Sequence, residues 1–379
     1  MRVVIAPDSF GGTLSATEAA AALARGWRGA APADALREIP LADGGTGFVD
    51  VLHAVLGGRL DVARVTGPLD GVRVDARWLV VGEVGYVECA QACGLHLVPR
   101  ERRGPAAALA ATSRGVGELI ASASADPDVR RVVVGLGGSA CTDGGAGALA
   151  ALGAAPVDGD GGALPDGGGT LARCVALAGP PVLPAGMSLV LAADVDNPLL
   201  GRHGAAEVFG PRKGADAGAV AALDAALGSY VRVLAAGVGR DADELAAAPG
   251  GGAEGGLGAA LLALGGERVS GAGLVRELTG LDAALDAADL VVTGEGSFDW
   301  QSLRGKLVTA VAEAAAARGL PCLVLAGQVS VGRREAASVG VQDAYSVAEH
   351  AGGTEVSLAD PEGTLAALAG HVAEQWGGR

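Results

Sequence analysis

Five loops combine glycine with an acidic residue, and each directly follows a run typical of a buried β-strand. They are PDSFGG at 7–12, ADGGTG at 42–47, GLGGSACTDGG at 135–145, DVDNP at 194–198 and GEGSFD at 294–299. Glycine lets backbone N–H groups approach an anion, and carboxylates can hold a divalent cation that neutralises it. The loops therefore suit a phosphate group together with magnesium.

Asp and Gly are also ordinary turn residues, so any one of these loops taken alone predicts only a turn. The repetition of such loops after five strands favours a ligand site over five separate turns. In open α/β sheets, ligands bind beyond the carboxyl ends of the strands, where the loops of one sheet lie on the same side. We therefore expect several of the loops to converge on a shared cleft.

The chain has only two lysines, Lys213 in GPRKG and Lys306 in RGK, although it has many arginines. Both lie in glycine-flanked, loop-like segments. An ammonium group there can neutralise phosphate charge in a transition state. The alternative for each is a solvated surface lysine, and the sequence leaves both interpretations open.

Other catalytic patterns are weak or missing. GLGGSA at 135–140 fits a dinucleotide fingerprint, but CTDGG interrupts the expected helix start and no acidic residue follows at a second strand end. Gly305-Lys306 precedes Leu307, so there is no P-loop motif. No histidine pair has metal-binding spacing, and no G-x-S-x-G elbow occurs. An NAD(P)-dependent oxidoreductase is therefore the weakest of the hypotheses kept.

Strand-like runs alternate with helix-length segments rich in Ala and Leu, which indicates an α/β fold with largely parallel strands. Ser15 and Glu18 form a capping box that predicts a helix from about Ala16. Two extended runs, VRVDARWLVV and VGYVEC, follow each other between 72 and 89 without a helix. This succession predicts a hairpin and a change of architecture.

Length and composition limit the function classes. The 379 residues allow about two domains, and the net charge of −15 argues against a nucleic-acid partner. There is no secretory leader pattern and no run of 18 consecutive apolar residues, so we expect a cytoplasmic protein without a membrane partner. The five scattered cysteines show no disulfide or zinc spacing, and we expect them to be reduced and buried.

The ordered motifs IAPDSF, GTLSA, ADGG, GLGGSA, TDGGAG, DVDNPLLG, FGP, KGA, PGGGAEGGLGA, TGEGSFDWQSLRGK and LAGQ span nearly the whole chain. In this order they resemble the bacterial glycerate kinase family of the non-P-loop type. The resemblance implies ATP- and Mg-dependent phosphorylation of D-glycerate, usually to 2-phosphoglycerate, with 3-phosphoglycerate as the less favoured product.

The resemblance also implies two α/β domains with the site in the cleft between them. Residues 1–68 plus 281–379 would form a flavodoxin-like parallel-sheet domain built from both chain ends, and 69–280 an inserted mixed α/β, restriction-endonuclease-like domain. The chain would act as a monomer or a homodimer.

Within this framework we assign roles to the loop residues. The predicted catalytic residues are Asp194, Asp196 and Lys306, and the predicted magnesium ligands are Asp194, Asp196, Glu295 and Asp299. The predicted substrate- or phosphate-binding residues are Asp8, Ser9, Asp43, Gly44, Gly45, Gly137, Gly138, Ser139, Asp143, Asn197, Lys213 and Gln301.

Two positions depart from the family pattern, which has Lys where this chain has Gly11 and Glu where it has Thr46. They motivate a second hypothesis, a non-catalytic relative that binds a nucleotide or hydroxy acid. They also allow a kinase with a different small hydroxy-acid substrate. Ligand binding without ADP release would distinguish the non-catalytic hypothesis.

Overall fold

The computed structural model describes residues 1–303 and 307–377. Its strands are β1 Arg2–Ile5, β2 Ala35–Glu38, β3 Arg59–Thr66, β4 Arg73–Val81, β5 Val84–Glu88, β6 Arg131–Gly135, β7 Pro156–Val157, β8 Ala176–Leu177, β9 Ser188–Ala192, β10 Glu267–Val269, β11 Leu290–Thr293, β12 Ser297–Phe298, β13 Cys322–Ala326, β14 Gln328–Val329 and β15 Asp343–Ser346.

Its helices are α1 Ala16–Ala30, α2 Phe48–Leu56, α3 Cys89–Cys93, α4 Pro105–Ala110, α5 Arg114–Ser124, α6 Ala146–Ala151, α7 Ala205–Phe209, α8 Ala217–Val238, α9 Ala242–Ala247, α10 Ala253–Ala263, α11 Gly271–Leu278, α12 Leu281–Asp286, α13 Leu307–Ala316, α14 Arg333–Ser338, α15 Val347–Ala351, α16 Thr354–Ala359 and α17 Pro361–Trp376. The predicted α/β class is confirmed.

The chain divides into two compact units. Unit 1 comprises Met1–Ala42, Asp50–Leu56 and Ala272–Arg379, and unit 2 comprises Asp43–Val49 and Gly57–Gly271. The sequence-based boundaries at 68/69 and 280/281 differ from these limits. In particular, β3 pairs along its full length with β4 of unit 2, because the two strands form a hairpin.

Unit 1 contains a five-stranded sheet in the order β2-β1-β11-β13-β15, with every neighbouring pair parallel. This is the flavodoxin-like order 2-1-3-4-5. Helix α1 begins as predicted: the Ser15 Oγ accepts from the Glu18 amide, and the Glu18 carboxylate accepts from the Ser15 amide. Trp27 of α1 is fully buried against the sheet and α17, in the core of this unit.

Unit 2 contains a six-stranded mixed sheet in the order β10-β9-β6-β5-β4-β3. The predicted hairpin is confirmed, since β4 pairs antiparallel with β5. The remaining pairs, β5-β6, β6-β9 and β9-β10, are parallel. The carboxyl ends of β6 and β9 therefore lie side by side and present the loops at 136–145 and 193–198 together.

Helix α8 in unit 2 is long and apolar enough by composition to cross a membrane, but half of its most apolar window is buried. Leu223, Leu227 and Tyr230 lie in a hydrophobic core of the unit. This burial is typical of a core helix. The five cysteines are buried and free, as predicted.

Candidate active site

Two glycine-rich loops of unit 2 pack backbone against backbone. A Cβ atom placed on Gly137 would lie 2.4 Å from the Gly45 Cα, a distance that real Cβ atoms essentially never show. Gly44 has a φ of +89°, which L side chains rarely adopt, and its Cβ would lie 2.8 Å from the Ala192 carbonyl. The glycines therefore bring the loop at 42–47 against the ends of β6 and β9.

The carboxylate of Glu254 fixes the loop after β6. Its Oε2 accepts a 2.6 Å hydrogen bond from the Ser139 amide and one from the Cys89 thiol at 3.5 Å. Glu254 itself has φ 51° and ψ 47°, one of two non-glycine residues with positive φ among the described residues. Backbone strain of this kind in a non-glycine residue is found disproportionately at functional sites.

The predicted phosphate cradle is accordingly modified at one position. The Ser139 amide is engaged by Glu254 and so does not face a ligand. Within the described part of the chain, the amides of Gly137 and Gly138 donate no hydrogen bond to a protein acceptor. Those two amides remain suitable for an anion.

Lys213 is a buried cation held by uncharged groups. Its Nζ donates to the Ser139 Oγ at 3.1 Å and to the Cys141 carbonyl. These partners tie the lysine to the same loop that Glu254 holds through the Ser139 amide. The predicted lysine and the predicted glycine loop are thus brought together.

Three carboxylates of unit 2 interact with one another. Although solvent reaches the Asp43 side chain, loss of hydration raises the pKa of Asp43, and the charges of Asp194 and Glu254 raise it further. The Gly45 amide, which donates to the Asp43 Oδ1 at 3.0 Å, opposes this rise. A site that forces like charges together in this way favours a bound cation.

The structure groups Asp194 with Asp43 rather than with Asp196. The Ser270 hydroxyl donates to the Asp194 Oδ1 at 2.7 Å. The Asp196 side chain is 78% exposed and forms an ion pair with Arg268. Arginine therefore already neutralises Asp196, which makes it a poorer magnesium ligand than its neighbour.

Two other predicted residues of unit 2 have structural contacts. Asp143 is fully buried, and its carboxylate accepts from the amides of Ser113, Gly145 and Gly147 and from the Ser113 hydroxyl. Desolvation raises the pKa of Asp143 despite these donors. The Asn197 amide donates to the His203 carbonyl at 2.8 Å. These contacts favour structural roles for both.

The predicted residues of unit 1 lie at the carboxyl ends of its strands. Ser9, Glu295 and Asp299 line a cavity of about 500 Å³ that we call the strand-end cavity. Asp8 and Gln301 are outside its lining: the Asp8 Oδ1 accepts from the Ser9 amide at 2.6 Å, and the Gln301 amide donates to the Asp299 Oδ1 at 2.7 Å. Lys306 lies outside the described residues, so its role stays a prediction.

Among the described residues, no three His, Cys, Asp or Glu side chains are arranged to hold a metal ion on their own. Magnesium commonly takes only one or two protein carboxylates together with substrate phosphates. Of the predicted ligands, Asp194 and Asp196 belong to unit 2, and Glu295 and Asp299 belong to unit 1. The magnesium assignment stays a prediction.

Sequence reasoning missed Glu254. Glu254 lies in the motif PGGGAEGGLGA, to which no site residue is assigned above, and its pairing with Ser139 spans 115 positions. The one available signal was an acidic residue flanked closely by glycines, the same combination that marked the other loops. Helix α6 begins only at Ala146, so the loop after β6 also lacks the direct helix start of a dinucleotide site.

Known proteins are similar to this chain over nearly its whole length. The model of the glycerate kinase family matches residues 3–377. An uncharacterized protein of Mycobacterium bovis is 46% identical over 379 residues, covering 100% of this chain and 92% of that protein. Glycerate 2-kinase of Escherichia coli is 40% identical over 335 residues, covering 87% of this chain and 86% of that enzyme.

A solved structure is also similar to this chain. The crystal structure of a Salmonella typhimurium LT2 protein assigned as glycerate kinase 2 superposes with a TM-score of 0.78 at 36% identity, covering 99% of this chain and 98% of that one. The match to the family model extends over nearly every element described above, including both sheets and all five acidic glycine loops. The chain belongs to the glycerate kinase family.

Proposed function

We propose that this chain transfers the γ-phosphoryl group of ATP to a hydroxyl of D-glycerate, with magnesium, giving 2-phosphoglycerate. The observation that carries the proposal is Lys213, a buried ammonium group whose hydrogen-bond partners among the described residues are uncharged oxygens. A buried charge is costly unless an opposite charge compensates it. A phosphate group of the substrate or nucleotide supplies that charge.

The acidic side of unit 2 fits magnesium. Asp194 would hold the ion, since it offers hard carboxylate oxygens and its charge acts on the neighbouring Asp43, whose pKa it raises. When bound, magnesium would neutralise charge on the transferred phosphoryl group. The ion pair with Arg268 leaves Asp196 as a peripheral residue in this proposal.

Side chains and backbone amides of this chain would hold the reactants in position. Phosphoryl transfer requires positioning and charge neutralisation more than covalent chemistry. Lys213 and the amides of Gly137 and Gly138 would bind phosphate oxygens, while Glu254 keeps their loop in place through Ser139. As the glycerate oxygen bonds to phosphorus and the bond to ADP breaks, the hydroxyl proton passes to the Asp43 carboxylate, whose pKa is raised by loss of hydration and by the charges of Asp194 and Glu254.

The test is ADP release from purified protein supplied with ATP, magnesium and D-glycerate, followed by NMR of the product. We expect glycerate-dependent ADP release and 2-phosphoglycerate. A 3-phosphoglycerate product would correct the position of transfer. ATP or glycerate binding without ADP release would instead favour the non-catalytic hypothesis raised by Gly11 and Thr46. The cytoplasmic location and the oligomeric state stay predictions.

A further inference from the structure

The strand-end cavity of unit 1 has no role in the phosphate chemistry assigned to unit 2. It lies at the carboxyl ends of β1, β11, β13 and β15, and its lining begins with Ser9 after β1 and Glu295 after β11. In a parallel sheet of this strand order, the strand order reverses between these two strands. Ligands bind at such a topological switch point, beyond the carboxyl ends of the strands. The cavity is therefore at the expected place for a ligand of this unit.

The charge of the cavity argues against an anion. No lysine or arginine occurs among the described residues that line it, whereas Glu295 and Asp299 are acidic. A carboxylate or phosphate group placed there would meet the like charge of these two side chains, with no compensating cation among the described lining residues. The described lining therefore favours a neutral ligand over glycerate.

The shape and remaining chemistry suit a larger, neutral and partly aromatic ligand. The volume of about 500 Å³ falls within the range of about 300–1,000 Å³ typical of sites for drug-sized molecules. Leu358, Pro361 and Leu365 form an apolar wall, and the Leu358 side chain is left 57% exposed. Covering this exposed side chain with the flat face of a ring would remove apolar surface from water, which is favourable.

Polar groups complete the recognition. The Gln328 Nε2 donates to the Thr354 Oγ1 at 3.2 Å, which orients the amide at the cavity lining. A carboxamide offers both donors and an acceptor and so can pair with the edge of a nucleobase. The carboxylates of Glu295 and Asp299 are acceptors for ribose hydroxyl groups, as acidic residues are in other nucleotide sites.

We propose that the strand-end cavity binds the nucleoside part of the nucleoside triphosphate, with Leu358 against the base and Gln328 at its edge. This inference rests on the proposed kinase function for the identity of the nucleotide. It assigns the base and ribose to unit 1 and makes Leu358 a specificity-determining residue.

The test compares Leu358→Trp with Val356→Trp. Both positions are exposed, at 57% and 52%, and both lie on α16, but Val356 does not line the cavity. The larger side chain at 358 should occupy the cavity and raise the calorimetric Kd for ATP at least about tenfold, while the change at 356 leaves it unaltered. Thermal unfolding of each variant checks that both fold.

A second variant, Gln328→Leu, should weaken ATP binding without altering the KM for glycerate. An unchanged Kd for ATP in Leu358→Trp, an equal weakening in Val356→Trp, or wild-type protein without affinity for ATP would each overturn the assignment. So would a rise in the glycerate KM alone, because it would place the acid in this cavity.

Failure of this inference and failure of the proposed function give different results. Calorimetry with ATP alone requires no turnover. Cavity-dependent ATP binding without glycerate-dependent ADP release would refute the kinase function and leave the cavity assignment standing. Glycerate-dependent ADP release with the same ATP dependence in Leu358→Trp as in the wild type would support the kinase function and refute the cavity assignment.

Discussion

Replacement of Lys213 distinguishes a structural role of this residue from a functional one. Replacing it with methionine removes a buried charge and keeps the length of the side chain, so we expect the free energy of unfolding to stay within about 1 kcal/mol or to rise. Turnover should fall about 100-fold or more, as when other groups that stabilise transition-state charge are removed. Urea unfolding and steady-state kinetics measure the two effects.

The neighbouring Arg212 is exposed and provides the control. Arg212→Met should change neither stability nor turnover appreciably. Normal turnover in Lys213→Met, or equal losses in both variants, would return Lys213 to a structural role.

Two aspartates in acidic glycine loops should respond in opposite ways to substitution by asparagine. Asp143 receives hydrogen bonds from four donors of Ser113, Gly145 and Gly147. Asparagine would replace one carboxylate oxygen of Asp143 with an NH₂ group, which donates hydrogen bonds and would face other donors. Asp143→Asn should therefore lower the free energy of unfolding by about 3 kcal/mol.

Asp194→Asn should lower the free energy of unfolding by less than about 1 kcal/mol but reduce turnover by orders of magnitude. A stable Asp143→Asn protein with lost turnover would contradict this division.

The contrast between Asp143 and Asp194 also shows what the sequence leaves undetermined at single residues. Residue type and position after a strand predicted that both aspartates would lie near a site. The difference in burial depends on contacts made by Ser113, which lies 30 positions away from Asp143. The role of Glu254 depends in the same way on Ser139, so neither could be predicted from local pattern.

At the level of elements, the confirmed predictions are those that depend on local signals. The capping box of α1 and the hairpin of β4 and β5 depend on neighbouring residues, and both are confirmed. Strand β3 was missed, although Asp70 and Gly71 both have positive φ in the turn that joins it to β4. Asp-Gly between two β-rich runs is a strong hairpin signal. Only Val65 and Thr66 at the end of β3 are buried, so most of this strand lacks the burial of a core strand.

The packing of α1 against α17 yields an element-level prediction. A Cβ on Gly26 would lie 1.9 Å from the Ala366 carbonyl oxygen, whereas a Cβ on Gly29 of the same helix would meet nothing within 4 Å. Gly26→Ala should therefore force the helices apart and lower the free energy of unfolding by about 1–3 kcal/mol. Gly29→Ala should raise it by about 0.5–1 kcal/mol, because alanine favours the helix. Urea unfolding of the two variants should give shifts of opposite sign.

At the scale of the whole molecule, the buried thiols of Cys322 and Cys89 link stability to alkaline pH. Burial raises the pKa of the Cys322 thiol to about 12, and the Cys89 thiol, buried beside Glu254, has a pKa of about 11. In the unfolded chain, both thiols would ionise near the usual value of about 8.5. Because all five cysteines are buried, a thiol-specific reagent should react with none of them in the native protein at neutral pH and with all five after unfolding.

The same pKa differences fix the sign of the pH dependence. Below the ordinary thiol pKa both states are protonated, so the full stability is present. Above it, the unfolded thiol loses its proton while the folded thiol keeps it until about pH 12 for Cys322. The free energy of unfolding should then fall by about 1.4 kcal/mol per pH unit for each such thiol.

Cys322→Ala removes one of these contributions. Urea unfolding between pH 8 and 10.5 should therefore show a free energy of unfolding that falls less steeply with pH, by about 1.4 kcal/mol per pH unit. An identical slope in the variant would mean that the Cys322 environment in β13 does not hold its proton as the burial implies.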